Sequence, residues 1–328
     1  MVVVITGASS GIGRATALRF AGKGWSVVLA ARFASGLKEV AEECRQLGGQ
    51  ALAVPTDVAQ ENEVDALAEA AIATFGGFDV WVNNAAVGLF GRFEEIPMED
   101  IRQLMEINVY GYIYGARAAI RHFRETGEGT LINISSMVAL VGQPFSLPYS
   151  ISKFAVRGLS ISLTQELADQ KNIHVCCVSP AVIDTPIFQH AANYMGQAVQ
   201  PPKPVIPAED VAKAIYKLTK NPREEVIVGT MAKLMKAQRL TLPADLFDEM
   251  HQKLVRDQHF QKRESKPSEG NLFSPITNWN RIDGGWIKTK PKKMNRKRVS
   301  NTARNASLWG TLLLAGASVA AAWIARGS

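Results

Sequence analysis

The 328-residue sequence sets a tyrosine and a lysine one helical turn apart, in Tyr149-Ser150-Ile151-Ser152-Lys153. On a helix, positions i and i+4 share a face, which brings the Lys153 ammonium beside the Tyr149 phenol. A phenol titrates at about 10 and exchanges protons poorly at neutral pH. A neighbouring cation stabilises phenolate and draws that value toward the working range. The expected chemistry is general acid/base catalysis with Tyr149 as the proton-moving group. Upstream, Ser136 follows a strand-like run, Thr130 to Ser135, at the edge where α/β sheets place ligands. Its hydroxyl suits a reacting substrate oxygen; Ser135 competes for that role, and a turn or helix cap is the structural alternative.

A second group of residues suits a dinucleotide. The run Thr6-Gly7-Ala8-Ser9-Ser10-Gly11-Ile12-Gly13 follows the first strand-like segment, Val2 to Thr6, and opens a helix. Glycine permits positive φ and puts no Cβ between the backbone and a pyrophosphate, while the helix N-terminus offers its amides to the anion. Three glycines alone also make a tight turn. At the end of the second strand an acid would accept ribose hydroxyls and repel a 2′-phosphate, but Ala30-Ala31-Arg32 stands there. With Arg14 beside the glycine turn, this favours NADP(H) over NAD(H), against solvated surface arginines as the alternative. Asp57, after the third strand, bonds an adenine amino group or caps a turn.

The elements that must position these residues are β-rich runs alternating with helical patterns: Val2 to Thr6, Ser26 to Ala31, Ala51 to Pro55, Asp79 to Val82, Thr130 to Ser135, Ile173 to Val178 and Glu225 to Val228. Alternation of this kind predicts βαβ units, and strands apolar on both faces predict a parallel sheet covered on both sides. Helices are expected over Ile12 to Lys23, stopped by Gly24, and Ser35 to Leu47, stopped by Gly48 and Gly49. Thr185 to Pro207, with Pro201, Pro202, Pro204 and Pro207, is long for a connection and suits a lid. The expected organisation is a catalytic domain over 1–230, a helical extension over 231–262, a basic proline-containing linker over 263–304, and a hydrophobic tail over 305–328.

Composition excludes several classes. Hydrophobic residues make up 47% and charged residues 20%, a globular balance. The net charge of +7 is local: residues 281–304 hold nine of the 37 Lys and Arg but one of the 30 Asp and Glu. The remainder is close to neutral, so nucleic acid is not an expected partner. Cys44, Cys176 and Cys177 are expected as reduced packing residues, with Cys176 and Cys177 on opposite strand faces. His122, His174, His190, His251 and His259 are scattered, so no metal is expected, and surface or packing roles suit them. With a strand expected from Val2, no signal peptide is expected.

Leu308 to Ala325 is an uncharged run of 18 residues with Trp309 and Trp323 near its ends. As a helix it spans about 27 Å, near the roughly 30 Å of a hydrocarbon core. Nine cations precede it within 281–304 and Arg326 follows it. The expectation is a membrane anchor that leaves the catalytic body cytoplasmic; an apolar helix packed on the domain or a partner is the alternative.

Together, the glycine turn, Asn83-Asn84-Ala85-Ala86, Asn108, Ser136, Tyr149-x-x-x-Lys153 and Ser179-Pro180-Ala181 make residues 2 to about 230 resemble the short-chain dehydrogenase/reductase family. The resemblance implies a Rossmann-type, doubly wound parallel sheet of seven strands. It also implies hydride transfer between NAD(P) and a carbonyl or alcohol, without a metal. It makes Tyr149 the proton donor or acceptor, Ser136 the holder of the reacting oxygen, and Lys153 both the tuner of Tyr149 and a ligand of the nicotinamide ribose. Asn108 would hold a water linking Lys153 to solvent. The cofactor would meet Gly7, Ser9, Ser10, Gly11, Ile12 and Gly13, then Arg32, Asp57 and Val58, then Asn84 and Ala85, and finally Pro180, Ile183 and Thr185. Ala86 and Ala181 replace family glycines and set methyl groups near it. A homodimer or homotetramer is implied. The apolar residues of the lid and of Leu89, Phe90 and Phe93 favour a hydrophobic, lipid- or steroid-like substrate. Two other readings compete: a non-catalytic NADP-binding module tethered to a membrane, and a sugar-nucleotide epimerase, disfavoured by the spacing of Gly7, Gly11 and Gly13.

Overall fold

The computed structural model describes residues 1–287, which form one compact unit. Seven runs rich in Val, Ile and Leu become strands: β1 (Val2–Thr6), β2 (Ser26–Ala31), β3 (Gln50–Pro55), β4 (Val80–Asn83), β5 (Gly129–Ile134), β6 (Ile173–Pro180) and β7 (Glu225–Val228). Their order is β7-β6-β5-β4-β1-β2-β3, and every pairing is parallel. Each crossover needs a helix: α1 (Gly11–Ala21), α2 (Ala34–Gln46), α3 (Glu61–Phe75), α4 (Met98–Met105), α5 (Gly111–Thr126), α6 (Leu147–Glu166) and α7 (Ala208–Leu218). The chain runs outward from β1 to β3, then returns to the other side of β1 with β4. That reversal opens a crevice at the carboxyl ends of β1 and β4.

Alternate side chains of the strands feed two cores. Val3 and Ile5 enter one with Val27, Leu29 and Phe20; Val4 enters the other with Val28, Trp81 and Leu131. Phe20 meets Trp25 and Tyr216 edge-on at 4.9 and 5.2 Å, which seats α1 against α7. Cys44, Cys176 and Cys177 are free thiols, buried as expected.

Three stretches differ from the sequence expectation. The extension is two helices, α8 (Thr230–Thr241) and α9 (Ala244–His259), because Pro243 disfavours helix at Leu242. The lid stretch is pinned by short pairings: Ala192–Asn193 with Leu89–Phe90, Ile206–Pro207 with Ile183–Asp184, and Gln197–Val199 with Phe260–Glu264. The third difference is the segment expected as a linker. Through residue 287 it is packed on the domain. Ser268 bridges Asn193, and the Leu272 side chain is fully buried in the core beside Val28 and Leu89. The Asp184 carboxylate accepts the amides of Gly284, Trp286 and Ile287 at 2.8 to 3.1 Å. A few apolar anchors and satisfied backbone groups hold a stretch whose average composition is polar. The hydrophobic run Leu308 to Ala325 lies outside the described residues, and among those described no helix is long and apolar enough to cross a membrane.

Leu272→Ala is expected to lower unfolding free energy by about 2 to 5 kcal/mol, the usual range for a core leucine. A denaturant titration checks it; a solvated linker residue would give less than about 0.5 kcal/mol.

Candidate active site

Helix α6 begins at Leu147 with Pro148 in its first turn, where a missing amide costs nothing. Tyr149 and Lys153 therefore face the same side. The Lys153 amine is 5.6 Å from the Tyr149 ring centre and 4.9 Å from that of Tyr112. It donates to the Ile134 carbonyl at 3.0 Å and to the Tyr112 hydroxyl at 3.3 Å, and the Tyr112 hydroxyl donates to the same carbonyl at 2.9 Å. Lys153 is only 2% exposed.

Burial governs both titrations. It pushes the Tyr149 phenol up to about 12, against a smaller opposing pull from the hydrogen bond with Ser136. It pushes the Lys153 amine down to about 7. The lowered phenol expected from the motif is thus not what this site displays. Both acceptors of the amine are neutral, so no counter-charge offsets the burial of the ammonium. Ser135 leaves the competition for the substrate oxygen, because its hydroxyl donates to the Lys153 carbonyl at 2.9 Å. Ser136 remains, lining the crevice beside Tyr149.

The crevice holds about 1690 Å³ of free volume, open mouth included, and runs along the carboxyl edge of the sheet. At one end it is lined by Gly7, Ser9, Ser10, Gly11 and Ile12 of the glycine turn, with Arg32, Asp57 and Val58. Asn84 and Ala85 line it too, as do Tyr149, Lys153, Pro180, Ile183 and Thr185, the last packed against Gly11. Gly13 plays a different part: a Cβ there would lie 2.1 Å from the Gly7 carbonyl oxygen, so it permits α1 to approach the turn. Asn84 stitches the turn to β4, donating to the Thr6 carbonyl at 2.8 Å, while Thr6 Oγ1 accepts the Asn84 and Ala85 amides. Asp57 caps a turn through the Ala59 amide at 3.1 Å.

Residues 1–195 match the family model for short chain dehydrogenase. The chain belongs to the short-chain dehydrogenase/reductase family. An uncharacterized oxidoreductase of Bacillus subtilis, YxnA, is 38% identical over 271 residues, covering 82% of this chain and 76% of that one. An alcohol dehydrogenase from Thermococcus sibiricus, solved with 5-hydroxy-NADP, superposes with a TM-score of 0.61 at 28% identity, over 69% of this chain and 95% of that one. A 3-ketoacyl-(acyl-carrier-protein) reductase from Brucella melitensis, solved with NADH, gives 0.62 at 31% identity, over 70% and 97%. As a member of this family the chain is an oxidoreductase acting on alcohol or carbonyl groups with a nicotinamide cofactor. Its residues fit that group in part: Ser10 gives the first-turn amides of α1 no side-chain cap, although the Arg281 carbonyl takes the Gly11 amide, and Gly7 at φ 65° keeps the approach clear.

Within this short-chain dehydrogenase/reductase frame, two expectations change. Arg14 is unavailable to a 2′-phosphate, since its guanidinium meets Glu39 and Glu43 at 2.6 Å each and donates to the Asn280 carbonyl. Those carboxylates raise its pKa against the effect of burial. Arg32 does line the crevice, but it donates to the carbonyls of Asn271 and Leu272. The Asn108 side chain closes on both the amide and the carbonyl of Val87 at 2.8 and 2.9 Å and on the Ser152 hydroxyl at 3.2 Å.

Some site residues escaped the sequence reading. Tyr112 had no local signal, being an apolar-face residue of α5. His190 and His259, read as surface or packing residues, both line the crevice. His259 Nδ1 lies 3.1 Å from the Gln200 carbonyl, and burial holds its pKa down to about 4. The neutral ring must donate from Nδ1 to that carbonyl, so Nε2 carries a lone pair. Phe90 and Phe188 flank the ring at 5.7 and 6.0 Å.

Lys153→Met is expected to reduce turnover at least about a hundredfold, on the scale of lost acid/base assistance, while raising Tm. The Lys153 pKa lies below its ordinary 10.5, so the penalty for burying the ammonium is complete below about pH 7 and shrinks toward pH 10.5. The gain in Tm should be larger at pH 6 than at pH 9, a comparison that calorimetry makes directly. Ile134 keeps its bond from Tyr112 in the variant, so no carbonyl is orphaned.

Proposed function

We propose that the protein is an NADP(H)-dependent oxidoreductase that interconverts an apolar ketone or aldehyde with its alcohol. The observation that carries this reading is the set of buried Ser136 and Lys153 with half-buried Tyr149, lining a crevice that also carries the glycine turn suited to a dinucleotide. The bound nicotinamide supplies or takes the hydride. Ser136 holds the reacting oxygen, and Tyr149 passes its phenolic proton to that oxygen as it becomes an alkoxide, or takes the proton back in oxidation. The Lys153 ammonium stabilises the phenolate left behind. Asn108 serves this set as a positioning residue, through Val87 and Ser152. The preference for the phosphorylated dinucleotide rests on Arg32 and on the absence of an acid in Ala30-Ala31-Arg32.

The substrate end supports an apolar compound. Phe90, Met137, Val138 and Phe188 line it, with the His259 lone pair as an acceptor for a substrate hydroxyl. Helix α6 supports assembly with a second copy, since Leu147, Ile151, Phe154 and Ile161 recur on its outer face at 39 to 47% exposure. The anchoring reading rests on the sequence of Leu308 to Ala325 alone.

With NADPH and a panel of lipophilic ketones and aldehydes, the purified full chain should consume reduced nicotinamide. Tyr149→Phe should lower that rate about a hundred- to ten-thousandfold with cofactor binding retained. Lack of turnover with every carbonyl and alcohol offered would count against the reading. In cells, the full chain should stay with membranes through carbonate extraction, and release into the soluble fraction would remove the anchor.

A further inference from the structure

The segment from Ser268 to Ile287 crosses the crevice mouth as a strap. It starts where Gly270, at φ 55°, lies against the backbone of the lid: a Cβ there would come within 2.3 Å of the His190 carbonyl oxygen and 2.5 Å of Ala191 and Ala192. The Asn271 amide donates to His190, and the Leu272 side chain is sunk in the core. The strap passes the end of β2, where Arg32 donates to two of its carbonyls, and then the N-terminus of α1, where the Gly11 amide donates to the Arg281 carbonyl. It ends on the Asp184 carboxylate. Between these fixed points Asn271, Pro275 and Ile276 line the crevice.

The two arginines at this edge are held differently. Arg14 is neutralised by two carboxylates, whereas the carbonyls of Asn271 and Leu272 orient Arg32 without cancelling its charge. A guanidinium has five N–H donors, so about three remain after these two bonds. Burial lowers the Arg32 pKa against a smaller opposing effect from Asp57, the mark of a cation short of counter-charge. Beside it, Asn271 Oδ1 is buried with no partner among the described residues, an acceptor in the crevice wall lacking a donor.

We propose that the strap is a working wall of the dinucleotide site: the Asn271 and Leu272 carbonyls hold Arg32 ready for the cofactor's 2′-phosphate, and Asn271 Oδ1 receives a hydroxyl or amino group of the adenosine. Seating of the strap and recognition of the phosphate are then coupled, so that each favours the other. The inference rests on the NADP(H) reading above and adds to it the residues that make Arg32 an effective reader of phosphate.

The full chain tests this by fluorescence titration with NADPH and NADH. Wild type should bind NADPH about ten- to a hundredfold more tightly, the range of a charge-assisted phosphate contact. Arg32→Met should erase the difference. Gly270→Val touches neither Arg32 nor the cofactor and lifts the strap from the lid; it should weaken NADPH more than NADH, cutting the NADPH/NADH preference by about threefold or more. Hydrogen exchange on the wild-type chain provides a second arm that does not depend on the variant folding: adenosine 2′,5′-bisphosphate should slow amides of 270–282 more than adenosine 5′-monophosphate does. Equal binding of the two dinucleotides, an unchanged preference in Gly270→Val, or equal protection by both nucleotides would each overturn the coupling. If neither dinucleotide binds wild type, the NADP(H) reading itself fails and takes this inference with it.

Discussion

A lysine amine buried against neutral acceptors is the constraint on which the site depends. Among the described residues Lys153 has no carboxylate partner; it has one carbonyl and one phenol. In such surroundings a unit charge is poorly solvated, and small changes in nearby charge move protons between groups that would be far apart in water. The Tyr149 phenol and the Lys153 amine are both displaced from their ordinary values, in opposite directions. That tension is useful at a site where a negative oxygen forms and must be discharged within one turnover.

Such a site works only if α6 cannot shift against the sheet, and polar contacts key it in place. The Ser135 hydroxyl reaches the Lys153 carbonyl, Asn133 donates to the Ser160 hydroxyl at 3.0 Å, and Asn108 donates to the Ser152 hydroxyl. Asn133 in turn accepts from Asn83, whose own carbonyl oxygen accepts from Trp81 Nε1. The chain of amides and indole runs from the middle of the sheet to the catalytic helix with each member bonded, the condition under which a buried polar network specifies one arrangement.

The strands were legible because Val-rich runs such as Val2 to Thr6 and Ser26 to Ala31 are apolar on both faces and bounded by turn residues. Tyr149 and Lys153 were legible because a helix converts a spacing of four into proximity. What stayed hidden depended on distant partners. Nothing near Arg14 announces that Glu39 and Glu43 will neutralise it, and nothing near Arg32 announces carbonyls 239 and 240 residues away. Leu272 sits in a stretch that is polar and basic on average, so composition hides it although its burial anchors the strap. The motif also led to the wrong sign for the Tyr149 shift, because spacing carries no information about how deeply the pair is buried.

The fastening of residues 268–287 onto Gly11, Arg14 and Arg32 also has a temporal side. Synthesis delivers the glycine turn first and the strap some 250 residues later, and such long-range closures come late in folding. A nascent chain can therefore assemble its sheet on the ribosome while the strap's share of the crevice wall is still missing, and the pocket becomes complete only when the polypeptide past Ile287 has emerged.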